Sequence, residues 1–296
     1  MLFRSLARYG AEVVHVRAPI GDRPSLDEVE AALREDRFKL MTVTHVDTST
    51  GVVTDVEGLA ELARAHDTLI VVDGVCSLAG EPLRMTDWGV DVALTASQKA
   101  IGTPPGLALV VAGPRAMAAF HDRATPVANY YADWANWLPI MEAYENRQPS
   151  YFGTPAVNLI AALNVSLGLI LDEGMDAVFD RHARISDACK AAVAALGLDQ
   201  VPVAPDVAAH TMTAPRFPEG VTKEELLPKI KAAGIVVAGG LHPDIKGEYF
   251  RIGHMGRVSA GDILATIGAV EAALAATGYG FELGAGVAAA MEALVS

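Results

Sequence analysis

The chain is poor in several of the residues that mark particular kinds of protein. Only two cysteines occur, Cys76 and Cys189, with no C-x-x-C pair and no Cys/His cluster. That argues against a disulfide framework and a structural zinc site, and fits a reducing compartment. Positive charge is also scarce: 23 Lys and Arg stand against 36 Asp and Glu, a formal net charge of -13. Such a surface repels phosphate backbones and anionic membranes, so neither nucleic acid nor membrane is an expected partner. Long apolar runs are missing too, and stretches such as GLALVVAG fall far short of the ~20 residues that cross a bilayer. No internal repeat is evident, and alanine richness is the only compositional bias.

What is present is ordinary globular material. With 296 residues, 51% of them hydrophobic, the chain can bury a sizeable core in one large α/β domain plus a smaller one. MLFRSLARYGAEVVHVR carries three arginines before any aspartate, as transit peptides do. Its periodicity nevertheless predicts an amphipathic helix ending near Gly10, then a strand over AEVVHVRA, so the chain is expected to open within a domain.

From Lys39 onward, apolar strands alternate with amphipathic helices. KLMTVTHV, TLIVVD, VDVALTAS and GLALVVAG are predicted strands, with TLIVVD of the kind buried on both faces. Thr54 and Glu57 have capping-box spacing ahead of the helix carrying Val56, Leu59, Leu62 and Ala63. This alternation predicts a doubly wound, mostly parallel sheet. Thr154-Pro155 is predicted to cap a long apolar helix running to Gly174, and a second helix extends to about Gly197. A smaller α+β domain follows. It has a capping box at Thr222 and Glu225, a helix ending at Gly234, strands IVVAGG and EYFRIGHM, and the closing helix SAGDILATIGAVEAALAATG. The division expected is 1–173 and 174–296.

In open α/β sheets, ligands sit beyond the carboxyl ends of the strands. Two strands here end in Asp73 and in Ser97-Gln98-Lys99. An aspartate closing an apolar strand requires a cationic or hydrogen-bonding partner. A lysine in that position can be a solvated charge, an ion-pair partner, a phosphate binder or a nucleophile that forms a Schiff base. A pyridoxal phosphate enzyme needs such a lysine together with an acid that keeps the pyridine nitrogen protonated.

The stretch VVDGVCSLAGEPLRMTDWGVDVALTASQKAIGTPPGLALVV resembles the core of the class V aminotransferases, in particular the alanine:glyoxylate and serine:pyruvate group. The D-G-V-C-S-L-A-G run, then S-Q-K-A and P-P-G, match the family pattern, as does the 26-residue interval between Asp73 and Lys99. The resemblance extends from about Gly10 to the C-terminus. It implies the pyridoxal phosphate-dependent transferase fold of type I, and transfer of an amino group from an amino acid such as alanine or serine to glyoxylate. The Schiff base would form on Lys99.

Carried over residue by residue, the resemblance makes Asp73 the partner of the pyridine nitrogen and Gln98 a contact of the cofactor phosphate. THVDTSTGV matches a segment in which Thr48 supplies a hydroxyl to the cofactor, with Asp47 and Thr48 where the family commonly has Glu and Ser. SYFGTP places Tyr151 and Thr154 at the phosphate of the adjacent subunit of a homodimer. FRIGHMG makes Arg251 the grip on the substrate carboxylate, for which a planar guanidinium is suited. Partners are then small amino acids and 2-oxo acids, and no metal is expected. His45, His242 and His254 show no ligand spacing, and Cys76 reads as a small buried residue.

The family also has an upstream Gly-rich turn that binds phosphate and an aromatic or histidine that stacks on the pyridine. Nothing before Lys39 matches them, so a shortened form that binds the cofactor weakly or not at all is expected. The alternatives are another activity on this fold, a cysteine desulfurase or an epimerase, and a catalytically silent dimerisation partner. The chain ends in Leu-Val-Ser rather than Ser-Lys-Leu, and cytoplasm is the default address, with mitochondrion and peroxisome as alternatives.

Overall fold

A computed structural model describes residues 2–296, with side chains described from residue 5. The helix expected ahead of Gly10 forms as α1 (Leu2–Arg8). The strand expected over residues 11–18 does not, because that run makes no β-ladder. A strand exists only through its hydrogen-bonded neighbour. Instead of a ladder there is a cleft of about 1350 Å³, lined by Val13, Val14 and Val16 together with Met41, Thr42 and Val43.

The next helix, α2 (Leu26–Glu35), carries a full capping box: Ser25 Oγ accepts from Glu28 N–H at 3.2 Å, and Glu28 Oε2 accepts from Ser25 N–H at 3.1 Å. β1 (Leu40–Thr44), α3 (Val56–Ala65), β2 (Leu69–Asp73), α4 (Met85–Trp88), β3 (Val92–Ala96) and β4 (Ala108–Ala112) then build the large sheet. Its order is β1-β2-β3-β4, with β1, β2 and β3 parallel and β4 antiparallel. Ile70 and Val72 are fully buried against Leu59, Ala60 and Ala63 of α3. Leu69, Val71 and Asp73 on the other face of β2 are only half-buried, so the expectation of burial on both faces is corrected. The capping box at Thr54 is corrected as well. The N-cap is Asp55, whose Oδ1 accepts from Gly58 N–H at 3.0 Å; a carboxylate one residue closer to the helix takes that role.

After β4 come α5 (Pro114–His121), α6 (Trp134–Glu145), α7 (Val157–Glu173) and α8 (Met175–Ala195). α7 begins after Ala156, with no side-chain cap, so Thr154 and Pro155 lie outside the helix they were expected to open. α7 and α8 meet at 87°, and among the described residues no single helix is long and apolar enough to cross a membrane.

The C-terminal part has a second, three-stranded sheet in the order β5-β7-β6, formed by β5 (Met212–Thr213), β6 (Ala238–Gly239) and β7 (Phe250–Gly253). α9 (Lys223–Ala232) starts after Thr222, but no side-chain cap bond forms there, contrary to the capping box expected. The box appears instead on α10 (Ala260–Ala275), where Ser259 and Asp262 cap each other's backbone N–H groups. α10 does not close the chain: α11 (Ala285–Val295) follows and packs on α8. The buried Glu271 of α10 explains how, since its carboxylate accepts from Gly284 and Val287 N–H, both at 2.9 Å, and so caps α11 from a neighbouring helix. Ile185, Ala188, Leu196, Leu226, Phe250, Ile267 and Leu274 form the core of this part.

Candidate active site

Three parallel strands bring their carboxyl ends to one edge, where Thr44, Asp73 and Leu94 stand in register. The loops leaving these ends carry Thr48, Asp73 itself, and Gln98 with Lys99. Each loop is held by its own short-range bonds.

Asp73 is half-buried, and its Oδ1 accepts from Val75 N–H at 3.0 Å. The turn behind it is tight: Gly74 N–H donates to Leu94 O at 2.8 Å, and a Cβ on Gly74 would stand 3.1 Å from Leu78 Cβ. No bond to Asp73 Oδ2 is seen among the described residues, so one carboxylate oxygen is available to a donor in the site.

The lysine turn is anchored by Ser97, which is fully buried. Ser97 Oγ donates to Pro104 O at 2.8 Å and accepts from Leu107 N–H at 3.3 Å, while Gly102 N–H donates to Lys99 O at 2.9 Å. Gly102 has φ +74°, which suits a residue without a Cβ. Lys99 is half-buried and Gln98 exposed, and among the described residues Lys99 Nζ forms no ion pair and no hydrogen bond. A half-covered lysine without a bonded partner is one that a ligand can engage.

The loop with Thr48 is stapled by Asp47. Its carboxylate accepts from Ser49 N–H at 2.9 Å, Ser49 Oγ at 2.6 Å and Thr50 Oγ1 at 2.8 Å. Cys76 links the three loops. Burial pushes its thiol up, while the Thr48 hydroxyl and then the charge of Lys99 pull it back. At 1% exposure it forms a floor, and its carbonyl accepts from Thr211 Oγ1 at 2.6 Å.

Arg251 reaches the same loop from β7. Its Nε donates to Gly239 O at 2.9 Å and its Nη1 to Thr48 O at 2.8 Å, and among the described residues the other Nη1 hydrogen and both Nη2 hydrogens have no hydrogen-bond acceptor. Tyr151 and Thr154 are elsewhere: both are exposed, ahead of α7, and among the described residues no hydrogen bond joins them to Thr48, Asp73, Gln98 or Lys99.

Sequence reasoning missed Tyr249. It is fully buried, its hydroxyl accepts from Leu241 and His242 N–H, both at 2.9 Å, and donates to Ser49 O. The available signal was its position two residues before Arg251, on the same side of the strand. Arg181 and His182 of α8, which hold the turn after β7, left no local signal at all.

The comparisons agree with this architecture. Residues 2–264 match the family model described as aminotransferase class-V. The chain is 40% identical over 258 residues to alanine–glyoxylate aminotransferase 1 of Saccharomyces cerevisiae, covering 85% of this chain and 66% of that one. It is 35% identical over 290 residues to L-aspartate–glyoxylate aminotransferase of Paracoccus denitrificans, covering 96% and 72%. The solved ureidoglycine–glyoxylate aminotransferase of Bacillus subtilis superposes with TM-score 0.92 at 26% identity, over 100% of this chain and 75% of that one. The chain thus spans between 66% and 75% of the length of these relatives. Its sheet, its strand-end lysine and aspartate, and the length of the match together place it in the class V aminotransferases, on the type I fold of pyridoxal phosphate-dependent enzymes.

Proposed function

We propose that this chain carries the reaction centre of an aminotransferase that uses pyridoxal phosphate and takes glyoxylate as amino acceptor. The observation that carries this reading is the delivery of an uncommitted amine, Lys99, and a half-committed carboxylate, Asp73, from adjacent parallel strand ends. The three relatives support the acceptor, because their names share glyoxylate while their donors differ: alanine, L-aspartate and ureidoglycine.

The residues present fit the cofactor by the chemistry of their donor set. A free amine stands at one strand end, a carboxylate with one open oxygen at the next, and a hydroxyl, Thr48, beside them. Lys99, Asp73, Thr48 and Gln98 would hold it, and when bound it supplies the electron sink and carries the amino group between two substrates. The protein's own part is then specific. Asp73 Oδ2 holds a proton on the ring nitrogen, Lys99 Nζ removes and returns the proton at the donor's α-carbon, and Arg251 binds the substrate carboxylate through its outer hydrogens. Desulfurase chemistry is disfavoured, because Cys76 and Cys189 are both buried.

Two further elements belong to the proposal. The first is a division into a cofactor domain, 1–173, and a small domain, 174–296, supported by the separate core gathered around α8, α10 and α11. The second is a homodimer in which Tyr151 and Thr154 serve the neighbouring subunit. It is supported by their exposure and by the apolar surface of α7, where Val157 is 62%, Val165 62% and Leu171 70% exposed.

The test is spectroscopic, then kinetic. Added pyridoxal phosphate should give a visible absorbance band that is absent in Lys99→Ala, and alanine, serine and aspartate should each be assayed against glyoxylate and pyruvate. A Lys99-independent spectrum would refute the reading.

A further inference from the structure

The turn that carries Lys99 is flanked on two sides. On one side α7 contributes Ser166, whose hydroxyl donates to Ile101 O. On the other lies the turn after β7. Gly256, buried at φ +85°, has Ala100 O 3.6 Å and Lys99 O 3.7 Å from where its Cβ would stand. Gly256 therefore faces the backbone of the lysine turn with no side chain between them, and its neighbour Met255 packs in the same cluster as Ala100 and Ile101.

Both poles of Gly256 are gripped by adjacent residues of α8. Its N–H donates to His182 Nε2 at 3.0 Å, and its carbonyl accepts from Arg181 Nη1 at 2.6 Å. Each gripping side chain is itself held. Arg181 is bidentate to Glu173, Nε to Oε1 at 2.6 Å and Nη2 to Oε2 at 3.1 Å. His182 is 1% exposed, and its Nδ1 lies 2.7 Å from Val178 O. An imidazole that accepts at Nε2 must carry its proton on Nδ1, so Nδ1 donates to Val178 O and the ring is neutral.

We propose that Arg181 and His182 are positioning residues for Lys99, acting through the Gly256 peptide, with His182 competent only as the neutral Nδ1–H tautomer. The inference rests on the reading of Lys99 as the reactive amine. Protonation of His182 would turn its acceptor into a donor facing another donor, and the Gly256 bond would break. The charged and titratable groups around His182 are Arg181 on α8, Glu173 at the end of α7, Glu81 from the loop after β2, and His254 from the turn after β7. Burial outweighs the Val178 hydrogen bond and the two carboxylates and holds the imidazole below its ordinary range, so the competent form persists at neutral pH.

The test compares His182→Gln, which keeps an acceptor near Nε2, with His182→Leu, which keeps bulk without one. Two readouts work on the protein without cofactor: hydrogen exchange at the Gly256 amide, and the acetylation rate of Lys99 relative to the exposed Lys231, read by mass spectrometry. H182L should lose about tenfold in Gly256 protection and shift the relative Lys99 rate several-fold, while H182Q stays close to wild type. As pH falls, the wild-type protein should lose Gly256 protection relative to H182Q, which has nothing to protonate.

Should H182L fail to fold, the wild-type to H182Q ratio across pH decides alone: a flat ratio overturns the proposal. Unchanged Gly256 exchange and unchanged Lys99 labelling in a folded H182L overturn it as well. If pyridoxal phosphate gives no Lys99-dependent band while H182L still shifts Lys99 labelling, the cofactor reading fails and the positioning role stands.

Discussion

Arg251 Nη1 donates to the backbone carbonyl of Thr48 across 2.8 Å, joining the last strand of the small sheet to the first loop of the large one. Two residues earlier in the chain, Tyr249 reaches the next carbonyl of that loop, Ser49 O. Consecutive carbonyls of the Thr48 loop are thus held by two side chains, Tyr249 just before β7 and Arg251 within it. The position of the Thr48 hydroxyl is set by the C-terminal part as much as by the strand it follows.

Arg251→Lys tests whether the residue that holds this loop also binds the substrate carboxylate, as proposed above. An ammonium cannot reach Gly239 O and Thr48 O and still offer a planar edge to a carboxylate. Losing a charge-assisted pair costs about 1.5–3 kcal/mol, so KM for the amino acid should rise about 10- to 100-fold. Cofactor affinity, measured by absorbance titration, should change far less. Equal losses in both would assign Arg251 to cofactor binding instead.

Tyr249→Phe removes one oxygen and leaves two amide donors and one carbonyl without their partner. The variant should be destabilised by about 1–3 kcal/mol in urea. Hydrogen exchange should accelerate at the Leu241 and His242 amides specifically, and an unchanged exchange pattern there would show that the hydroxyl has no such role.

The sheet was legible because its strands are short continuous apolar runs between turn residues. Lys99 and Asp73 were legible because each ends such a run with a charge that the core cannot explain. Two caps were read one and two residues out of place. Asp55 displaced Thr54, and the residues at 154 and 155 carry the right chemistry for a cap outside the helix they precede, since φ and ψ rather than residue type decide where the first turn closes. α2, α5, α6 and α11 were not read at all, and α11 depends on a cap from Glu271, on another helix. Tyr249, Arg181 and His182 make their key bonds to residues 200, 75 and 74 positions away. No local pattern encodes such contacts.

His254 gives a pH dependence with a definite sign. It is fully buried, its Nε2 pairs with Thr213 Oγ1 at 2.8 Å, and burial pushes its pKa from 6.5 down to about 3. The folded state therefore keeps it neutral where the unfolded chain protonates it. Its contribution is whole above pH 6.5 and is lost progressively as pH falls from there toward 3. Between pH 7 and pH 5 this one group should remove about 2 kcal/mol of stability. His45 and His182, also held low by burial, add to the slope. Urea midpoints at the two pH values, for wild type and His254→Gln, measure it; an identical pH slope in both would remove His254 as its source.

The apolar surface of α7 supplies the last prediction. A helix exposing Val165 at 62% and Leu171 at 70% while lying against the lysine turn leaves apolar area in water that a second copy could cover. Val165→Glu with Leu171→Glu places two like charges on that face, where burial at an interface would carry a large desolvation cost. Sedimentation should show a dimer for the wild-type protein and a monomer for the double variant, with the circular dichroism spectrum retained. Because Tyr151 and Thr154 sit at the start of this face and, among the described residues, make no bond to their own Lys99 site, separating the copies should also weaken pyridoxal phosphate binding. A wild-type monomer that binds the cofactor as tightly as the double variant would mean that each chain completes its own site.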